Sequence, residues 1–126
     1  QQEFNLITKK KVNFSFTPHL SPMFRGILSS IYVDLAPGKN IKKIHMELKK
    51  FYKKSSFVKI LKLNKLLSTN EVINTNSCHI SVCRSKDKKK IIILSALDNL
   101  IKGGSGQAVQ NLNLLFGFNE KTGLKI

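Results

Sequence analysis

Asp98-Asn99-Leu100-Ile101-Lys102-Gly103-Gly104-Ser105-Gly106-Gln107 places an acid, an amide, a lysine and three glycines in ten consecutive residues. The apolar run Ile91 to Leu94 precedes it and reads as a strand buried on both faces, with Asp98 as its polar exit. The glycines permit a sharp turn, and Ser105 is placed to cap a helix that Gln107, Ala108, Val109, Leu112, Leu115 and Phe116 continue at helical spacing. Free amide groups at such a helix start, beside Lys102, favour a phosphate or the polar edge of a cofactor. An ordinary strand-to-helix turn fits the same residues. Gly-Gly-Ser-Gly is not a dinucleotide fingerprint, because it lacks that spacing and no second strand with an acidic residue follows.

Arg25 is the other residue suited to a ligand. It follows a loop bounded by Pro18 and Pro22, where two amide donors are missing and extended or turn geometry is favoured. Its guanidinium fork matches a carboxylate or phosphate, or it pairs with Asp34 or Asp98 to hold loops together. His19, between Pro18 and Leu20, offers an imidazole for binding or proton transfer, although a histidine so flanked is more often packed or hydrogen-bonded than catalytic.

The elements that must position these residues follow from periodicity. Val12, Phe14 and Phe16 alternate with polar neighbours as in a half-buried strand, and Ile27 to Leu35 reads as a second strand ending at Pro37-Gly38. Asn40 caps a helix whose apolar stripe is Ile41, Ile44, Leu48 and Phe51, with lysines on the other face. A strand at Phe57 to Leu63, a polar connection from Asn64 to Asn76, and two strands, Cys78 to Arg84 and Lys90 to Leu97, joined as a hairpin, come next. The final helix spans Gln107 to Phe116. The order predicts one α+β domain over residues 1–126, with helices on one face of a mixed or antiparallel sheet. Apolar residues on more than one side of the closing helix imply that it docks on something beyond its own sheet.

Charge and cysteine content narrow the function classes. The net charge is +15, from 22 basic and 7 acidic residues. Only Arg25 and Arg84 are arginine, there is no Trp, and no basic run is interleaved with aromatics, so base reading and stacking are disfavoured. A sequence-independent polyanion module remains an alternative. Cys78 and Cys83 lie five apart and face opposite sides of a strand, which argues against an internal disulfide and fits a reducing, cytoplasmic compartment. Two cysteines cannot hold a structural zinc unaided, so no metal is expected. No apolar stretch approaches a membrane span.

Two motifs carry a resemblance. Phe16-Thr17-Pro18-His19-Leu20-Ser21-Pro22-Met23-Phe24-Arg25-Gly26-Ile27-Leu28 and the stretch from Asp98 to Asn111 together resemble the C-terminal part of the N-acetyl-gamma-glutamyl-phosphate reductases, semialdehyde dehydrogenases of arginine synthesis, in the same order. The resemblance runs almost the length of the chain and ends near Gly123-Leu124. It implies a fragment of a two-domain enzyme whose nucleotide-binding domain lies upstream, an expectation with which a first residue Gln1 agrees. It implies NADP as cofactor, N-acetyl-glutamyl phosphate as substrate and a homo-oligomer. A cysteine thiolate would attack the acyl phosphate, phosphate would leave, and hydride would reduce the thioester. The family's Gly-Cys-Tyr-Pro-Thr and His-Arg-His-x-Pro-Glu type motifs are absent here, so nucleophile and base are expected upstream of Gln1, and the chain alone is expected to be inactive. The resemblance assigns Arg25 and His19 to substrate binding, and Asn99, Lys102, Gly103 and Gln107 to the cofactor side. Aspartate-semialdehyde dehydrogenases and aminoadipyl-phosphate reductases are the alternative parents, the first disfavoured by the Pro18 to Leu28 motif.

Overall fold

A computed structural model describes residues 2–9 and 11–126; Gln1, and Lys10 of the Lys9 to Lys11 run, lie outside the described residues. Four strands form one mixed sheet: β1 (Ile27–Asp34), β2 (Val58–Ile60), β3 (Cys78–Arg84) and β4 (Lys90–Leu97), in the spatial order β1-β4-β3-β2. The β3–β4 hairpin is antiparallel, β1 pairs antiparallel with β4 from Ile27↔Leu97 to Asp34↔Lys90, and β2 runs parallel to β3. Helices α1 (Gln2–Thr8), α2 (Ile41–Phe51) and α3 (Gly106–Leu115) complete the α+β architecture.

Asn40 caps α2 as its side chain dictates, its Oδ1 accepting from Lys43 N at 3.0 Å. The helix packs on β2 and β3 through half-buried Ile41, Ile44 and Leu48. Phe51 is not part of that stripe. It is 79% exposed and meets the Tyr52 ring edge-on, while His45 takes the buried position and its Nε2 lies 2.7 Å from Leu61 O. Only three residues of the Phe57 to Leu63 run form a strand. Beyond Ile60 the chain keeps isolated bonds to β3, from Leu61 N to Ile80 O and from Asn64 N to Val82 O.

Residues 12–17 are not a strand. A strand is stabilised by a partner's ladder, and this segment pairs with neither sheet edge. It is instead tied to α1, where Val12 N donates to Asn5 Oδ1 at 2.8 Å and Phe14 packs edge-on against Phe4. Strand β4 is likewise not buried on both faces: Ile91 and Ala96 are buried, whereas Ile92, Ile93 and Leu94 are half-buried. The cause is the placement of α2 over β2 and β3, which leaves β1 and β4 without a comparable layer among the described residues. Ile27, Leu28, Ile31, Tyr32 and Val33 of β1 are accordingly exposed. The core proper is small, centred on Phe57, Val72, Val82, Ile91 and Ala96.

Candidate functional site

The start of β1, the end of β4 and the start of β3 lie at one end of the sheet, so Arg25, Asp98 and the loop preceding Cys78 converge there. Asp98 is the hub. It is fully buried, and its Oδ1 accepts from Leu100 N at 2.8 Å and Ile101 N at 3.0 Å, while Oδ2 accepts from Asn74 N at 2.7 Å. Arg25 Nε stands 2.9 Å from Oδ2, an ion pair without an aligned hydrogen bond. Burial pushes the carboxyl pKa up, but the amides of Asn74, Ile101 and Leu100 and the Arg25 guanidinium outweigh it and hold it below the ordinary value. The charged form is therefore built into the fold.

Around this hub the chain is tightly fitted. Gly26 N donates to Asn99 Oδ1 at 2.7 Å, and Gly26 adopts φ +104 where a Cβ would sit 2.7 Å from Thr69 Cβ. Both the backbone angle and the contact require glycine. Thr69 belongs to a short 3-10 turn, Thr69–Glu71, inside the polar connection, which is irregular as expected yet buries Thr69, Val72 and Asn76.

The elbow differs from its expected form. Ser105 does not cap α3; its hydroxyl donates to Leu100 O at 2.9 Å within a π-type turn, Ile101–Ser105, that precedes the helix. The preceding turn already presents an acceptor to the start of α3, Gly106 N donating to Ile101 O across the kink at Gly104, so that amide is satisfied without the Ser105 hydroxyl. Gly103 N donates to Asp98 O at 2.8 Å, and Gly104 sits at φ −151, ψ −111 within the turn. Gly106 is required for a close approach: a Cβ there would lie 2.5 Å from Asn76 Oδ1 and 2.6 Å from Ile101 Cγ2.

Gln110 organises a second polar cluster behind the elbow. Its Oε1 accepts from Asn76 Nδ2 at 2.9 Å and Lys102 Nζ at 2.7 Å, and its Nε2 donates to Glu120 Oε1 at 2.7 Å. Asn113 Nδ2 donates to the carbonyls of Glu120 and Thr122, so α3 is fastened to the segment that follows it. Lys102 also lies 5.2 Å from the Phe57 ring centre. Burial lowers its pKa, opposed by the charges of Cys78 and Glu120. These amides escaped the sequence reading; the signal for them was Gln107, Gln110, Asn111 and Asn113 recurring along an otherwise apolar helix.

Of the six residues singled out from the sequence, Arg25, Asn99, Lys102 and Gly103 gather at this sheet end. Gln107 is the second residue of α3, its Nε2 donating to Asn111 Oδ1 at 2.9 Å. His19 is exposed, and its recorded contact is local, Nδ1 to Thr17 O at 3.0 Å. A neighbouring cleft of about 440 Å³ is lined by Ser56, Lys59, Glu71, Ser77 and His79. His79 is made less basic by burial and by Lys59, opposed by Glu71, whose Oε2 is 3.8 Å away. Cys78 and Cys83 are free thiols, with Cys78 Sγ 3.4 Å from Ser95 Oγ. No group of three or more metal-ligating side chains occurs among the described residues, and no helix there is long and apolar enough to cross a membrane.

Relatives named N-acetyl-gamma-glutamyl-phosphate reductase include one from Vesicomyosocius okutanii subsp. Calyptogena okutanii, 49% identical over 99% of this chain and 35% of its own length. One from Thermoanaerobacter pseudethanolicus is 44% identical over 100% of the chain and 37% of its own length. A relative from Arabidopsis thaliana, named as a probable chloroplastic enzyme of that kind, is 45% identical over 98% of the chain and 31% of its own length. The chain thus spans about a third of the length of these curated relatives. The family model for the semialdehyde dehydrogenase dimerisation domain matches residues 1–99, which hold all four strands of the sheet and the Arg25–Asp98 pairing, and the chain belongs to that family.

Proposed function

We propose that the chain forms part of an NADP-dependent reductase that converts N-acetyl-glutamyl 5-phosphate to N-acetyl-glutamate 5-semialdehyde and phosphate in arginine biosynthesis, working in the cytoplasm as a homo-oligomer. The observation that carries the reading is the buried Asp98 carboxylate, which locks Arg25, the Asn74 loop and the Asp98 to Gly106 elbow into one rigid corner. The names of relatives at 44–49% identity favour the acetylglutamyl substrate over the aspartyl and aminoadipyl alternatives.

Arg25 is the proposed ligand for the substrate's anionic group. A guanidinium carries five N–H donors, so its contact with Asp98 through Nε fixes its direction and leaves donors for a second anion. His19, on the exposed loop preceding it, is the proposed accessory contact. Residues 103–105 are exposed, which fits the approach of a planar carboxamide edge to the elbow, with Asn99, Lys102, Gly103 and Gln107 the proposed lining on that side. The reduced cofactor, NADPH, would supply the hydride when bound and leave as NADP. Cys78 and Cys83 are not proposed as nucleophiles: Cys83 is buried, and neither thiol is hydrogen-bonded to an imidazole among the described residues.

NADP reduction dependent on the semialdehyde and phosphate, assayed with the nucleotide-binding region supplied alongside this chain, tests the assignment. Arg25→Ala should raise KM for the semialdehyde by at least tenfold, an amount matching one charge-assisted contact. Arg25→Lys, which keeps the charge but not the fork, should recover only part of it. An Arg25→Ala protein with wild-type KM and kcat would remove Arg25 from the site.

A further inference from the structure

At the opposite end of the sheet from Asp98, the end of β3, the hairpin turn, the start of β4 and the start of α2 surround a cleft of about 300 Å³. That size is at the lower end for small-molecule sites. Four cationic side chains line it, Lys39, Arg84, Lys88 and Lys90, with Leu35, Ile41 and Ile91 as its apolar part. They come from separate stretches of sequence. The backbone brings them together through two connections: Leu35 N donates to Lys89 O at 2.7 Å, and Asp34 pairs with Lys90 in the β1–β4 ladder.

The local acids offset only part of this charge. Lys39 pairs with Glu47 at 2.9 Å and Lys90 with the exposed Asp34 at 3.5 Å, whereas Arg84 and Lys88 have no carboxylate partner among the described residues. Asp87, the remaining acid of the hairpin, accepts from Lys89 N at 2.8 Å through Oδ1, which spends that oxygen on the turn's backbone. Unneutralised like charges facing one concavity repel one another, and a multiply charged anion seated between them relieves that repulsion. An arginine beside lysines suits phosphate in particular, since the guanidinium contacts two phosphate oxygens at once while an ammonium acts as a point charge.

We infer that this cleft is a binding site for a small phosphorylated anion bearing a pyrophosphate group, separate from the Arg25–Asp98 corner. Arg84 and Lys88 are its principal ligands, and Lys39 and Lys90 exchange part of their contact with Glu47 and Asp34 for the anion. The source is either inorganic pyrophosphate or a nucleoside diphosphate; only the latter presents an apolar ring to Leu35 and Ile41.

Calorimetric titration of the protein with inorganic pyrophosphate and, separately, with ADP at physiological salt tests the inference. Saturable binding is expected, with amide NMR shifts confined to residues 84–91 and 39–42. Tighter binding of ADP assigns the site to the nucleotide; equal or weaker binding assigns it to pyrophosphate. The double variant Arg84→Gln/Lys88→Gln should weaken binding about tenfold. A charge-matched control, Lys49→Gln/Lys53→Gln on the exposed face and end of α2, should leave it unchanged. All four positions are exposed, and thermal unfolding verifies that both doubles fold. Equal weakening by the two doubles would reduce the effect to diffuse surface charge and overturn the site, as would the absence of saturable binding to either ligand.

Discussion

Replacing Asp98 with asparagine isolates the contribution of the buried carboxylate with almost no change in shape. Both oxygens of the native side chain accept: one faces two amides, the other faces the Asn74 amide and the Arg25 guanidinium. An asparagine must turn its NH2 group toward one of these sets, placing donor against donor. Losing a hydrogen bond to a charged group costs about 1.5–3 kcal/mol, and leaving a buried amide unpaired costs about 1–3 kcal/mol more. The sum, about 2.5–6 kcal/mol, brackets the roughly 3–5 kcal/mol cost of removing one partner from a buried ion pair. At about 4 °C per kcal/mol for a domain of this size, the midpoint of thermal unfolding should fall by roughly 10–25 °C. The pH dependence supplies a second signature. Because the folded carboxyl pKa is depressed from 3.8, its stabilisation is complete above the unfolded value and is lost as pH falls through the folded one. Wild-type stability should therefore decline more steeply below about pH 4 than that of Asp98→Asn. Thermal unfolding by circular dichroism from neutral pH to pH 2 measures both effects. A loss under about 1 kcal/mol at neutral pH, with parallel acid profiles, would refute the hub role.

Two further substitutions probe the corner and its scaffold. Gly106→Ala should destabilise the fold by about 1–3 kcal/mol, because the added carbon meets Asn76 Oδ1 and the Ile101 side chain and carbonyl at under 3 Å; denaturant unfolding reads the change. Asn40→Ala, which deprives Lys43 N of its acceptor, should cost about 1 kcal/mol in the same assay and restore most of it as Asn40→Ser.

Local rules carried the sequence reading furthest where one side chain or one repeat decides the outcome. Asn40 starting α2, the β3–β4 hairpin and the exit at Asp98 all depend on neighbours within a few residues, and all stand in the structure. The pairing of Arg25 with Asp98 was one of the alternatives open from composition, and only the β1–β4 register selects it over Asp34. Residues 12–17 have the alternation of a strand, but alternation specifies a face and not a partner, and neither sheet edge accepts them. Ser105 and Phe51 failed for a related reason. Ser105 spends its hydroxyl on Leu100 O inside the turn that leads into α3, and Phe51, the last residue of α2, meets the neighbouring Tyr52 ring instead of the sheet. Gln110 was invisible because its three partners come from positions 76, 102 and 120, a convergence that no short window contains.

The bond from Gly26 to Asn99 joins positions 73 residues apart, whereas the turn between β3 and β4 joins immediate neighbours in sequence. Closing so long a loop costs about 4 kcal/mol of chain entropy before any contact compensates for it. Loop closure therefore predicts that the hairpin assembles first during folding and that β1 docks onto a preformed β4 as a late step, completed when Arg25 reaches the carboxylate waiting at the strand's end. Substitutions in β1 should accordingly change the unfolding rate more than the folding rate.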